Sequence, residues 1–129
     1  MPQTQILTYQ KENGQVPLLS WFLDSEIHDN VSRRKCVAMI SLLASYGYDL
    51  RRPHADFLED GIYELRIRTS QKNYRILYSF VGKNVVLLTH GIVKESRVPT
   101  QEIEAALEMK REFEKDQETH TFRGEVPWM

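Results

Sequence analysis

The sequence predicts a single α+β domain in the order β-α-α-β-β-β-α, with an antiparallel sheet that carries its helices on one face. Three observations predict it. Apolar residues recur at helical spacing in two successive segments between residues 17 and 46. Three runs of strand character follow, at about 62–68, 72–80 and 84–93, with short polar breaks between them. One more amphipathic segment comes after Pro99. Helices that are grouped, rather than alternating with strands, mark the α+β class.

Taken in order, Ile6-Leu7-Thr8-Tyr9 has strand-forming side chains and Lys11-Glu12-Asn13-Gly14 reads as a turn. Pro17 suits the first turn of a helix whose apolar stripe is Leu18, Leu19, Phe22, Leu23 and Ile27. Asn30 reads as the next N-cap. Val31, Cys36, Met39, Ile40 and Leu43 form the second stripe, and Gly47 ends it. Residues 48–60 look irregular. In the strand region, Thr69-Ser70-Gln71 and Gly82-Lys83-Asn84 supply the turns of a meander. Thr100 can cap the last helix, whose first turn holds Glu102 and Glu104, and Ile103, Leu107, Lys110 and Phe113 give it one partly apolar face. The domain is expected to span residues 1–116. Residues 117–129 lack periodicity and are expected to form an extended or mobile tail, with Trp128 available as an anchor.

At 129 residues the chain suits one domain. A chain of this size buries roughly two-thirds of its unfolded surface, so a core can form without metal or disulfide staples. The single Cys36 excludes an intrachain disulfide and favours a reducing compartment. No secretory leader and no membrane-length apolar run stand in the sequence, so a cytoplasmic protein without membrane contact is expected. The net charge of −1 conceals an asymmetry: residues 61–98 carry 7 basic and 2 acidic side chains, whereas residues 99–129 carry 4 basic and 8 acidic. A local field of this kind, not the overall charge, governs attraction of an anionic partner.

Strand periodicity assigns the cations to a face. Tyr63, Leu65 and Ile67 should meet the helices, which leaves Ile62, Glu64, Arg66 and Arg68 on the other side. In the next strand Arg75, Leu77 and Ser79 oppose Tyr74, Ile76, Tyr78 and Phe80. Alternation is poor in the third strand, as expected of a central strand buried on both faces. Arg66 and Arg75 are thus expected on an open face, with Lys94 close by at a strand end. Any one exposed Arg is unremarked sheet surface, but several on neighbouring strands repel one another. Fixed guanidinium groups suit phosphate, which they bind bidentately. Glu64 is the one acid within these strands and can pair with an Arg.

Other chemistry finds little support. His28, His54, His90 and His120 are too scattered for a metal site, and there is no HExxH or Cys/His cluster, so neither metal nor cofactor is expected. No GxSxG elbow marks a nucleophilic serine, and no glycine-rich phosphate loop occurs, which argues against nucleotide hydrolysis. Arg33-Arg34-Lys35 reads as a solvated helix start, and Cys36 as core.

Several segments carry a family resemblance. Leu58-Glu59-Asp60-Gly61-Ile62-Tyr63-Glu64-Leu65-Arg66, Tyr74-Arg75-Ile76-Leu77-Tyr78, and Val86 to Lys94 resemble three strand motifs of the phage-derived, HigB-like branch of the RelE/ParE toxins. Pro99, Glu102, Ile103 and Ala106 match that family's last helix start, and the helix holding Trp21 also fits, so the likeness covers about residues 4–115. It implies a microbial-ribonuclease-like fold and the toxin of a type II toxin–antitoxin system. A small helix-turn-helix antitoxin would be its partner, and cleavage of mRNA on the ribosome, inhibiting translation, its activity. Arg66, Arg75 and Lys94 match the family's basic positions. Ile92 replaces a Phe, and Glu95 stands where a second lysine is usual.

An mRNA endoribonuclease of this kind needs no metal: the neighbouring 2′-hydroxyl attacks the phosphodiester, with one group as base, one as acid, and cations on the phosphorane. Arg66 and Arg75 suit the phosphorane, and Lys94 and His90 are the candidates for proton transfer. Arg68, Lys72 and Arg97 would add RNA-binding charge. Two other readings stand beside it: a non-catalytic ParE-type toxin that binds a protein such as gyrase, and a degenerate prophage remnant that binds only its partner.

Overall fold

The computed structural model describes residues 3–70, 72–94 and 96–129. Gln71, at the end of the expected 69–71 break, and Glu95, the departure in the lysine position, lie outside the described residues. Among the described residues one sheet is formed by β1 (Gln5–Thr8), β2 (Ala55–Glu59), β3 (Ile62–Arg68), β4 (Asn73–Gly82) and β5 (Val85–Val93), in the order β1-β5-β4-β3-β2. The helices are α1 (Pro17–Leu23), α2 (Asn30–Tyr46), α3 (Thr100–Lys115) and the single turn α4 (Gln117–His120). No helix among the described residues is long and apolar enough to cross a membrane.

The α+β class and the order of the expected elements hold, and three details of the sheet and its cover differ. First, the stretch expected to be irregular contains β2, which forms a hairpin with β3. Its two-residue turn is Asp60-Gly61, with φ of 54° and 82°. Asp-Gly with both residues at positive φ is the turn whose twist matches a hairpin. Second, the sheet is mixed: β2 to β5 pair antiparallel, but β1 lies parallel to β5. Third, the helices are not confined to one face. Leu18, Phe22, Cys36, Ile40 and Leu43 of α1 and α2 pack on Leu65, Ile67, Ile76, Tyr78 and Leu88. Ile103 and Ala106 of α3 pack on Ile62 and Leu77 of the opposite face, and Phe113 on Tyr9 and Leu87. That second face is apolar away from the arginines, and α3 removes it from water.

Local chemistry sets the helix ends. The α2 N-cap is Asp29, one residue before the expected Asn30, and its side chain accepts a hydrogen bond from the Ser32 N–H at 2.8 Å. Arg33 donates to the Phe22 and Leu23 carbonyls, both at 3.1 Å, and so caps the end of α1 rather than standing in solvent. Gly47 closes α2 at a φ of 53°, where a Cβ would overlap Thr4. Cys36 is core, and burial pushes its thiol pKa up to about 12.

The tail is tied down rather than trailing. The Phe122 N–H donates to the Thr8 carbonyl, Tyr9 and Thr121 form a bridge, and Trp128 is buried against Phe22. The strap covers the outer edge of β1, an edge that would otherwise offer unpaired backbone groups to another chain.

Trp21 reaches the sheet at Gly91, where a Cβ would overlap the indole. Gly91→Ala should therefore displace Trp21 and cost roughly 1–3 kcal/mol. A fall of several degrees in Tm, read by circular dichroism, is expected; an unchanged Tm would show that this contact is loose.

His28 is buried beneath Trp21, stacked on Tyr74 at 4.6 Å, with Nδ1 3.3 Å from Ser32 Oγ. Burial, with Arg33 and Lys72 adding to it, pushes its pKa from 6.5 down to about 4. The unfolded chain then takes the proton first as pH falls. Stability from this residue is complete above pH 6.5 and is lost toward pH 4, by about 1.4 kcal/mol for each unit of difference. Urea midpoints should decline over that window and decline less in His28→Gln; parallel pH profiles would remove His28 from the account.

Candidate functional site

The cations converge where α3 stops covering its face of the sheet. Register places Arg66 directly opposite Arg75, with Ile92 beyond it on β5. The next row holds Arg68 opposite Asn73, whose carbonyl accepts the Lys94 N–H at 2.9 Å. Like charges placed directly opposite destabilise a strand pair. Glu64, two residues before Arg66 on the same face, counters this. Its Oε1 stands 2.6 Å from Arg75 Nε and 3.4 Å from Arg66 Nε. These atoms are close but poorly aligned: Glu64 Oε1 and both Nε atoms have no hydrogen-bond partner among the described residues. Asp56 extends the network, 3.4 Å from Arg66 and 2.8 Å from Arg52. The Arg52 hydrogen bond holds the Asp56 carboxyl below its ordinary range.

The two arginines expected to share an open face are unequal. The Arg66 side chain is 33% exposed and that of Arg75 only 12%. Burial lowers the Arg75 pKa from its ordinary value, and Glu64 opposes that shift by favouring the charge. Both arginines nevertheless line a groove of about 540 Å³ that wraps the edge of β3 where β2 ends. Arg68, Lys35 and His54 line it as well. Lys35 comes from α2 and donates to the Arg68 carbonyl at 3.1 Å, and the His54 carbonyl accepts the Arg66 N–H at 2.7 Å. An anion in this groove meets guanidinium groups, an ammonium and an imidazole, with the buried Glu64 as a fixed counter-charge behind them.

The remaining candidates stand apart. A bulge sets Thr89 and His90 of β5 opposite the single Leu77 of β4, which accounts for the poor alternation along this strand; β5 is an inner strand between β1 and β4, and the central place belongs to β4. The bulge turns His90 under α3. Its Nε2 is 3.0 Å from Glu102 Oε1 and its Nδ1 is 3.3 Å from Thr89 Oγ1. Burial lowers the His90 pKa and Glu102 partly restores it. His90 is thus a buried link between β5 and α3, not a groove residue. Lys94 and Arg97 are exposed beyond the end of β5, outside the groove lining. Lys72 is exposed near His28. Among the described residues no group of three His, Cys, Asp or Glu side chains stands close enough to hold a metal ion.

Sequence reading missed Lys35 and His54 because both depend on tertiary placement. Lys35 sat in a basic run beside a helix start, and His54 in a stretch without periodicity.

Residues 26–111 match the model of the family described as phage derived protein Gp49-like (DUF891). The chain belongs to that family. It is a RelE-like family associated with toxin–antitoxin systems. The match runs from before α2 to within α3, so it contains Lys35, His54, Glu64 and the three groove arginines and leaves out β1, α1 and the tail strap. No curated protein matches the chain.

Glu64→Ala removes one partner of a buried charge cluster and leaves Arg66 and Arg75 opposed. A loss of about 3 kcal/mol is expected in urea unfolding, and sulfate, acting as a substitute anion, should recover part of it. A variant as stable as wild type would mean that both arginines reach solvent freely.

Proposed function

We propose that this chain is the toxin of a type II toxin–antitoxin pair, of the HigB-like branch, and that it cleaves mRNA on the ribosome by metal-independent attack of the 2′-hydroxyl. The groove carries this reading. It gathers Arg66, Arg68, Arg75 and Lys35 at the uncovered end of a sheet in a chain whose family is associated with toxin–antitoxin systems. Arg66 and Arg68 are the phosphate ligands. Arg75, paired with Glu64, sets the field behind them, and Glu64 positions Arg66. His54, exposed in the groove, takes the proton-transfer role expected of His90, because His90 is committed to Glu102. Lys94 lies one row away and serves the RNA backbone, as do Lys72 and Arg97. A helix-turn-helix antitoxin is the partner that would neutralise this surface. Orientation of the substrate by the ribosome would compensate for so sparse a set of groups.

The burial of Arg75 and His90 favours a second reading, a ParE-type toxin that binds a protein target without cleaving RNA.

Primer extension on ribosome-bound mRNA separates the two. Wild type should cut, Arg66→Ala should cut roughly 10²–10³-fold more slowly, and His54→Gln should lose roughly 10²-fold. Growth arrest without mRNA cleavage, retained in Arg66→Ala, would reject the nuclease and leave the ParE-type reading.

A further inference from the structure

We infer that a second cavity, beside the groove, is a nucleobase subsite for single-stranded RNA; this rests on the RNA-binding reading of the groove. The cavity is about 430 Å³, and Tyr48, Phe57 and Tyr63 supply its aromatic walls. Tyr48 is 57% exposed although it is stacked on Phe80, with centroids 3.7 Å apart and planes 11° apart. One face of its ring is therefore supported from behind and the other stays open, a preorganised platform for a third planar group. Phe57 is 52% exposed and rests edge-on against Tyr63 at 5.2 Å. The two rings stand around one cavity rather than scattered singly, and clustered exposed apolar surface marks an interaction site.

The rim fits a nucleotide rather than a plain aromatic. Arg51 lines the cavity and makes no ion pair among the described residues, so its guanidinium is available to a phosphate. Asp56 lines it too, and its carboxylate can accept from an exocyclic amine. Asp56 also ties the cavity to the groove: the same Oδ2 atom is 2.8 Å from Arg52, which lines the cavity, and 3.4 Å from Arg66, which lines the groove. A strand whose phosphate lies on Arg66 passes this carboxylate and places a neighbouring base on Tyr48. Stacking of this kind is tolerant of sequence, so the subsite adds affinity and register without a strict base code.

The test is equilibrium binding of a fluorescein-labelled single-stranded oligoribonucleotide to the full chain, over a range of salt. Tyr48→Ala and Phe57→Ala should each weaken binding about 10- to 100-fold with the salt slope unchanged, since rings release no counterions, and Tyr48→Phe should bind as wild type does. Arg66→Ala should instead weaken binding with a shallower salt slope. If Arg66→Ala weakens binding and both ring variants bind like wild type, the subsite is wrong, the RNA-binding groove stands, and the aromatic patch is left as a protein-docking face. If wild type binds no oligoribonucleotide at all, the groove reading and the subsite fall together.

Discussion

The carboxylate of Glu64 is the interaction around which this site is built. Two arginines sit directly opposite each other on β3 and β4, an arrangement that by itself would push the strands apart. Glu64 lies against both and is itself almost wholly buried. It permits positive charge to accumulate in the middle of a sheet without breaking it. The same contact draws Arg75 inward and leaves Arg66 nearer to water. Asp56 then links Arg66 outward to Arg52, so charge alternates from the sheet interior to the rim.

The position of the groove follows from how the two sheet faces are covered. The α1–α2 hairpin fills one face, and Trp21 comes close at Gly91. On the other face α3 lies over Ile62 and Leu77 but not over the last residues of β3. The charged end of the sheet is left uncovered because Arg66, Arg68 and Arg75 do not call for an apolar cover. Lys35 reaches the same place from the first face, capping the Arg68 carbonyl at the strand edge. The groove thus wraps an edge instead of lying on a plane. Such a shape brings residues of both faces to a single anion.

The far side of the domain shows the opposite electrostatic character. Glu108 and Glu112 of α3 line a cavity with Tyr9 and Glu12, where, among the described residues, Lys11 is the one cation. Tyr9 is hydrogen-bonded to Glu112, and burial, with that bond, raises its pKa well above the ordinary value. His120 stacks on Tyr9, and the tail continues from there across the edge of β1. Charge is therefore sorted by location, with acids around α3 and the tail and cations around the ends of β3 to β5. The near-zero total says nothing of this division.

Much of the fold was legible in the sequence. Helical and strand periodicity revealed both helices of the hairpin, the meander and α3, and strand alternation put Arg66, Arg68 and Arg75 on one face. Asp60-Gly61 carried a legible hairpin signal as well, although the preceding 55–59 run is short and Leu58 breaks its alternation, which hid its strand. What the sequence by itself determined was local: which residues prefer which backbone, and which side of an element they occupy. Tertiary structure alone decided the rest. That β1 pairs parallel with β5, that α3 takes the face opposite α1 and α2, that His90 meets Glu102 while His54 enters the groove, and that Lys35 joins Arg68 across 33 residues are all contacts between distant segments. No periodicity encodes such contacts, because they depend on how whole elements bury their apolar faces against one another.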